Sequence, residues 1–322
     1  MIIDINQHSE YIFGAVPDGN PEHAFTRMGL HDYWGSPNST GVRIRFSTNS
    51  QTVGISIDIE YSEVEAFFGN MMVNGITYIV RNRQKVLKIE CATGRNKETQ
   101  TLYQQKGNEL LDYEIYCPVK NTLTHASLLV DDEAQMVAPE KTDAPILFFG
   151  GPTTFGRGCT FPHGMYSSIV ARKFSRDYYN LAMYNSRYLE EKYISTAAKA
   201  IQNPCFVAAE ICSIPITKEY IAQKLDKYLE KLTECFCRCP ILLVSQPYDG
   251  RKLDNYIECG KIVRAFAEKH PERNIMYLDG KTVFKGIPTD RVTLSAYLTN
   301  DYGNMVLADR IIKIAEAFIS TI

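Results

Sequence analysis

A glycine-rich turn follows a short apolar run near the middle of the chain, and it holds the side chains best placed for chemistry. The run covers Ile146 to Phe149, and the turn reads GGPTTFG over residues 150–156. This pattern predicts a buried strand, a loop and then a helix. In open α/β sheets, ligands and catalytic groups gather in the loops that follow the strands. We therefore expect the functional site in this turn.

The nine cysteines are a second source of reactive side chains. Cys235, Cys237 and Cys239 stand at alternate positions before a strand, and three thiolates can bind a soft metal. A helix does not bring positions i, i+2 and i+4 onto one face, and no second ligand cluster has suitable spacing. Incidental free thiols are therefore favoured over a metal site or a disulfide framework. We expect no metal and no other cofactor.

Strands and helices alternate in the second half of the chain. Apolar strands are predicted at 146–149, 178–181, 206–211, 240–245 and 275–278, and helices near 165–174, 189–201, 217–235, 254–269 and 302–322. Strands separated by helices require parallel crossovers. The second half is therefore predicted to be an α/β domain with a parallel sheet.

The first half alternates apolar and polar residues with period two, as in Val42–Phe46 and Val53–Ile59. Asn74-Gly75 is the preferred dipeptide of a type I′ turn and predicts a hairpin between 71–73 and 76–80. About seven short strands without a convincing helix indicate a β-sandwich. An aperiodic, proline-containing stretch at 138–145 is the expected linker, which gives domains at 1–140 and 141–322.

The turn at 150–156 resembles the first signature block of the SGNH/GDSL hydrolases, which usually reads Gly-Asp/Ser-Ser-Ile-Thr-x-Gly. The resemblance covers roughly residues 145–320 and implies a three-layer α/β domain. The segment at 28–46 is similar, more loosely, to the jelly-roll-like β-sandwich that precedes some of these domains. Its Trp34 and His31 could face a sugar or the cleft, although packing is the favoured role for Trp34.

The resemblance implies a catalytic serine where this chain has Pro152. Proline has no hydroxyl to attack an ester and no N–H to hold an oxyanion. The second block, usually Asn-Leu-Gly-x-Ser-Gly, reads NLAMYNS over residues 180–186, with Ala182 at the oxyanion glycine. In the third block Ile214 stands at the oxyanion asparagine and cannot donate a hydrogen bond.

The fifth block usually reads Asp-Gly-x-His-Pro-Asn-Asp-x-Gly, and here it is SAYLTNDYG over residues 295–303. The matching tail at 300–303 places Ser295 at the aspartate and Leu298 at the histidine. All three triad groups are thus replaced and two of three oxyanion donors are lost. A normal serine hydrolase is not expected.

Three interpretations of the function stay open, so the sequence does not decide whether the protein is an enzyme. The favoured one is an inactive pseudo-hydrolase whose cleft binds a small molecule, a carbohydrate-like ligand or a protein partner. The second is an acyl or carbohydrate ester hydrolase, or an acyl transferase, with chemistry relocated to residues such as Cys159, His163, Cys212 or Ser295. The third is an interaction subunit whose sandwich domain does the binding. The candidate cleft residues are Gly151, Thr153, Thr154, Tyr184, Asn185, Cys212, Tyr297 and Asn300.

Composition excludes other classes of function. The 322 residues are 45% apolar and 22% charged with a net charge of −2, which does not suit nucleic acid or an anionic membrane surface. No apolar run approaches the ~20 residues that span a bilayer. The amino terminus lacks a basic region followed by an apolar one, so a cytoplasmic location is the expectation.

Overall fold

The computed structural model describes residues 1–16, 20–27, 38–60, 72–73, 75–93, 99–183, 189–211, 218–247, 254–295 and 298–319. The chain divides into two compact units. One is Met1–Lys141 with Thr160–His163, and the other is Thr142–Cys159 with Gly164–Ile322. The domain limits expected from the sequence, 1–140 and 141–322, stay a proposal, because a compact cluster of contacts does not show that each part folds by itself.

The first unit contains two antiparallel sheets. Its strands in chain order are β1 (Ile2–Asp4), β2 (Ile12–Phe13), β3 (Arg43–Thr48), β4 (Thr52–Ile59), β5 (Gly75–Asn82), β6 (Lys85–Thr93), β7 (Gln100–Gln104), β8 (Leu111–Tyr116), β9 (Leu123–Leu129) and β10 (Met136–Val137). One sheet has the order β1-β9-β4-β7. The other has the order β10-β3-β8-β5-β6, with β2 paired to β3.

Alternation along these strands explains why two sheets form. Ile44 and Phe46 on β3 are fully buried, as are Ile55 and Ile57 on β4, and all four belong to one apolar cluster. Successive side chains of a strand point to opposite faces, so each sheet has one face that must be covered. The predicted β-sandwich is confirmed.

The hairpin predicted around Asn74-Gly75 is wrong. Met72 and Val73 are helical, and β5 begins at Gly75 and pairs with β6. The chain reverses after Asn82, where Arg83 has φ of 54°. The asparagine–glycine signal was local, whereas the pairing of β5 is set by its long apolar face; Asn74 itself lies outside the described residues.

The second unit alternates strands and helices as predicted. Its elements in chain order are β11 (Ile146–Phe149), α1 (Pro152–Phe155), α2 (Tyr166–Phe174), β12 (Tyr178–Asn180), α3 (Glu191–Ala200), β13 (Phe206–Ile211), α4 (Lys218–Cys235), β14 (Ile241–Ser245), α5 (Asp254–Lys269), β15 (Ile275–Leu278), α6 (Gly280–Val283), α7 (Thr289–Val292), β16 (Thr293–Ser295), β17 (Leu298–Thr299) and α8 (Asp301–Ala315). Strands β11 to β15 form a parallel sheet, and β16 pairs with β17.

Both faces of the parallel sheet are covered. Phe148 and Ala208 pack in a cluster with Val170 of α2 and Leu307 of α8. Leu147, Val207 and Leu243 alternate with the strand residues of that cluster and are also fully buried. A parallel sheet with two buried faces and intervening helices is the three-layer α/β arrangement, so the predicted fold class is confirmed.

The order of the sheet fixes where a ligand site belongs. The strands lie in the order β12-β11-β13-β14-β15, so the connections after β11 and β13 leave the sheet in opposite directions. The carboxyl ends of β11 and β13 therefore mark the topological switch point, the usual binding site of doubly wound sheets, and this place is here called the crevice. Among the described helices, none is both long enough and apolar enough to cross a membrane.

Candidate functional site

A buried glutamate lies at the crevice between β11 and β13. Glu210, near the carboxyl end of β13, is 1% exposed. Its Oε2 accepts hydrogen bonds from the backbone N–H of Gly151, at 3.2 Å, and from the Thr154 hydroxyl, at 2.9 Å. Its Oε1 is buried and has no hydrogen-bond partner in the described part of the chain. One carboxyl group therefore joins the loop after β11 to the end of β13.

Burial raises the pKa of Glu210 to about 7, against the opposing effect of the hydrogen bonds from Thr154 and Gly151. Loss of hydration disfavours the charged form, whereas donors to the carboxylate favour it. The group therefore changes charge near neutral pH. A carboxyl with such a pKa in a strand-end crevice marks a candidate functional site.

A chain of hydroxyl groups continues from Glu210. Thr154 Oγ1 lies 2.7 Å from the hydroxyl oxygen of Tyr166 on α2. When Thr154 donates its single proton to an ionised Glu210, Tyr166 must donate to Thr154. Burial raises the pKa of Tyr166 well above its usual value. Its phenol therefore keeps the proton that it donates to Thr154.

The loop can approach Glu210 because it begins with a glycine. Gly150 has φ of 158°. A Cβ atom there would lie 2.9 Å from Glu210 Oε2 and closer still to Thr154 Oγ1. Only a residue without a side chain leaves room for the hydrogen bond between Thr154 and Glu210.

We expect Gly150→Ala to destabilise the protein by about 2–4 kcal/mol, because the added methyl group overlaps two buried polar atoms. Gly164→Ala is the matched control, since a Cβ there would meet only Asp301 Oδ1, at an ordinary 3.7 Å. Urea unfolding of both variants measures the difference. Equal midpoints for the two variants would contradict this packing.

Pro152 occupies the first position of α1, after Gly151 as the N-cap. The fixed φ of proline and its missing N–H suit this position. Thr153 follows and is 1% exposed, and its hydroxyl has no partner in the described part of the chain. The residue at the implied nucleophile position is therefore a helix-starting proline, flanked by an amide that donates to Glu210.

The described residues of the second block, 180–183, also form hydrogen bonds within the protein. The N–H of Ala182, the implied oxyanion donor, donates to Asn180 Oδ1 at 3.1 Å. Asn180 Nδ2 donates in turn to the carbonyl of Thr154 at 2.7 Å. Asn180, Ala182 and Thr154 are fully buried. This amide network fixes β12 against the loop after β11.

The fifth block lies in the hairpin of β16 and β17. Leu298 is fully buried, and a Cβ on Gly158 would lie 3.4 Å from its Cβ, so it packs beside the loop that follows α1. Ser295 is the backbone partner of Leu298 across the hairpin, although its side chain lies outside the described part. The implied acid and base positions are therefore adjacent.

Asn300, a predicted cleft residue, is the N-cap of α8. Its Oδ1 accepts from the N–H of Gly303 at 2.9 Å, and its Nδ2 donates to the carbonyl of Arg291 at 2.9 Å. Asparagine is a favoured cap because its side chain replaces a missing backbone partner. The structure thus gives Asn300 a structural role, and the predicted ligand contact stays a proposal.

The structure brings together Gly151, Pro152, Thr154 and Ala182 at the crevice, and places Leu298 beside the loop after α1. Other predicted site residues lie outside the described residues: His31, Trp34, Tyr184, Asn185, Cys212, Ile214 and Tyr297. Glu210 was not predicted from the sequence. The available signal was a single charged residue inside an otherwise apolar strand, since buried carboxylates need a special environment.

The thiols considered from the sequence differ in burial. Cys159 is 2% exposed, and burial raises its pKa well above the usual value, so it holds a neutral thiol rather than a nucleophilic thiolate. The ring of His163 contacts Thr77, Tyr116 and Phe161.

The three alternating cysteines also differ from one another. Cys237 is exposed, whereas burial raises the pKa of Cys239 to about 12. Within the described ranges, no group of three histidine, cysteine or acidic side chains is placed to hold a metal.

No protein-family model and no curated protein matches the chain, but solved structures share its fold. A GDSL-like lipase from Bacteroides ovatus has a TM-score of 0.83 at 15% identity, over 99% of this chain and 97% of that one. A salicylyl-acyltransferase from a tetracycline biosynthetic pathway has a TM-score of 0.67 at 14% identity, over 89% of this chain and 86% of that one. A family two carbohydrate esterase from Clostridium thermocellum, solved with cellohexaose, has a TM-score of 0.62 at 11% identity, over 86% of this chain and 92% of that one.

These neighbours confirm the resemblance to SGNH/GDSL hydrolases at the level of the fold. The chain has the fold of the GDSL-like lipase and carbohydrate esterase structures. At these identities the likeness concerns the fold alone, so the function has to be argued from the site.

Proposed function

We propose that this protein is a catalytically inactive member of the GDSL-like esterase fold, and that its strand-end crevice binds a small uncharged polar ligand, with carbohydrate as the favoured class. The observation that carries the proposal is the loop after β11. There Pro152 begins α1 at the implied nucleophile position, and the adjacent Gly151 amide donates to Glu210.

Acyl transfer needs hydrogen-bond donors aimed at the oxyanion that forms in the transition state. Pro152 has no N–H. The N–H of Gly151 donates to a carboxyl group, and the N–H of Ala182 donates to Asn180. An ionised Glu210 would also repel the developing oxyanion. These features support loss of ester hydrolysis.

The same crevice retains features of a binding site. Thr153 and Glu210 each present a buried polar atom without a partner among the described residues. A ligand hydroxyl can donate to an ionised carboxylate and accept from a protonated one, so a polyhydroxylated ligand suits both charge states of Glu210. The esterase neighbour solved with cellohexaose makes an oligosaccharide the first ligand to test.

We expect no turnover of p-nitrophenyl acetate above background and no labelling by a fluorophosphonate probe, because the protein lacks an activated nucleophile at Pro152. An active carbohydrate esterase serves as the positive control. Burst kinetics, or stoichiometric labelling of one residue, would contradict inactivity. The labelled residue would then identify relocated chemistry.

We expect saturable binding of cellohexaose by isothermal titration calorimetry, weakened about tenfold or more by Thr153→Val, which removes a buried hydroxyl and keeps the shape. Thr196→Val, on the exposed side of α3, is the matched control. Absence of binding by cello- and xylo-oligosaccharides would reject the carbohydrate class, whereas equal effects of the two variants would place the sugar elsewhere.

A further inference from the structure

A second pocket opens at the same edge of the parallel sheet, at the carboxyl ends of β14 and β15. It has a volume of about 110 Å³ and is lined by residues of β14, α5, β15 and the start of α6. It shares no lining residue with the loop at 150–156. It is therefore a separate candidate site.

The floor of this pocket is built from two hydroxyl groups. Ser245, at the end of β14, is 4% exposed, and its Oγ lies 3.0 Å from the hydroxyl oxygen of Tyr277. The N–H of Gly280 donates to Ser245 Oγ at 2.8 Å. A Cβ on Gly280 would overlap the backbone carbonyls of Ser245 and Gln246. The start of α6 is thus packed tightly against β14, and the hydroxyl pair is held in place.

A glycine keeps the space above these hydroxyls open. A Cβ on Gly260 of α5 would lie 3.7 Å from Ser245 Oγ and 3.7 Å from the Tyr277 hydroxyl oxygen. Alanine would therefore fit without overlap but would fill part of the pocket at van der Waals distance. A substitution at Gly260 therefore tests whether binding needs the space in the pocket, without changing the charge of its walls.

Basic side chains outnumber acidic ones among the residues that line the pocket, and two of the three basic groups also have a carboxylate partner beside it. Lys261, Arg264 and Lys281 line the pocket, with Asp279 as the one acidic side chain among the lining residues in the described part. Arg264 Nε donates to Glu268 at 2.8 Å, and Lys261 Nζ lies 3.6 Å from Glu258. The hydrogen bond to Glu268 and the charge of Glu268 are the main causes that raise the pKa of Arg264. The guanidinium therefore stays charged, and it lines the same pocket as the hydroxyl pair.

We propose that this pocket binds an oxyanion group of the phosphate or sulfate type, carried by a small molecule. Arginine and lysine supply charge-assisted donors to such a group. The Ser245–Tyr277 hydroxyl pair can supply one neutral donor, because one of its two protons joins the hydroxyls to each other. The pocket has room for only a few non-hydrogen atoms, because each water takes about 30 Å³. The proposal is independent of the function proposed for the crevice at Glu210.

The test is titration of the full chain with inorganic phosphate and with sulfate at constant ionic strength, followed by calorimetry and by chemical shifts. We expect one saturable site. Arg264→Gln and Lys281→Gln should each weaken binding about tenfold or more, because each removes a charged donor. Lys269→Gln, an exposed change near the end of α5 outside the pocket, should leave binding unchanged.

Two further variants separate a built site from diffuse surface charge. Gly260→Ala should abolish binding without any change of charge. Asp279→Asn should tighten it several-fold, because asparagine still caps α6 and a repelling charge is removed. The proposal fails if neither anion saturates a site, if Lys269→Gln weakens binding as much as Arg264→Gln, or if Asp279→Asn weakens binding. The exposed lysine and arginine variants keep the test decisive should Gly260→Ala misfold.

Discussion

Raising the pH through neutrality is expected to destabilise the second unit, and Glu210→Gln is expected to remove most of that loss. Folding raises the pKa of Glu210 from 4.5 to about 7. Between these values the folded state binds a proton that the unfolded state does not, so stability falls as the pH rises. The contribution of the Glu210 carboxyl to stability is complete below pH 4.5 and is lost above about pH 7. A shift of this size corresponds to up to about 3 kcal/mol.

Glutamine is a suitable replacement because its carbonyl oxygen can accept from both Gly151 and Thr154 and it carries no charge at any pH. Carboxyl groups whose pKa is lowered by folding act in the opposite direction, as with Asp131, whose pKa is lowered by hydrogen bonds from Ser50 and the backbone. The difference between wild type and variant isolates Glu210 from these groups.

Urea unfolding of both proteins at pH values from about 4.5 to 8 measures this difference. Glu234→Gln is the control, since that side chain is 61% exposed. We expect Glu210→Gln to be less stable than, or equal to, wild type in acid and more stable above neutral pH. Parallel curves for wild type and Glu210→Gln would show that Glu210 is ionised throughout, and that its burial costs less than the structure indicates.

The secondary structure of the second half could be predicted from the sequence because the apolar residues of each strand or helix recur with the spacing typical of that element. Strand β13 and helix α5 occur at the predicted residues, since a short apolar run and a long amphipathic repeat are local signals. The predicted hairpin at Asn74-Gly75 failed for the same reason, because a turn dipeptide does not specify which strand its neighbours pair with.

The site could be predicted only in part. The turn at 150–156 and its proline were found from the sequence, because glycines and proline specify backbone geometry. The partner of that turn, Glu210, lies about sixty positions further along the chain, as the hydrogen bond to Gly151 spans 59 residues. Such a contact depends on strand order, which no local pattern encodes. Asn300, a predicted cleft residue, caps a helix, and its predicted ligand contact stays a proposal.

Rebuilding the triad is expected to produce esterase activity in stages. Pro152→Ser alone should give none, because an unactivated serine hydroxyl is a weak nucleophile. Adding Ser295→Asp and Leu298→His supplies an acid and a base at neighbouring positions, since residues 295 and 298 are register partners in the hairpin. The triple variant should show weak but measurable hydrolysis of p-nitrophenyl acetate.

The oxyanion donors should then raise the rate further. Adding Ile214→Asn together with Ala182→Gly to the triple variant is expected to raise kcat by about 10² or more, because the asparagine side chain supplies a new donor and one such donor alone accounts for about 10²–10³ in rate. These donors act on charge that develops only in the transition state, so KM should change little. The quintuple variant with alanine instead of serine at position 152 is the matched control for background hydrolysis.

The pattern across the series decides between explanations. If Pro152→Ser alone matches the quintuple variant, the roles assigned to positions 295 and 298 are wrong. If a folded quintuple variant is inert, the crevice has diverged beyond its catalytic positions, and Glu210 is the first candidate because its charge opposes an oxyanion beside the 150–156 loop. Adding Glu210→Gln to the quintuple variant tests this directly. Recovery of activity above neutral pH would show that a buried carboxylate, in addition to the residues at the implied triad positions, opposes hydrolysis in this fold.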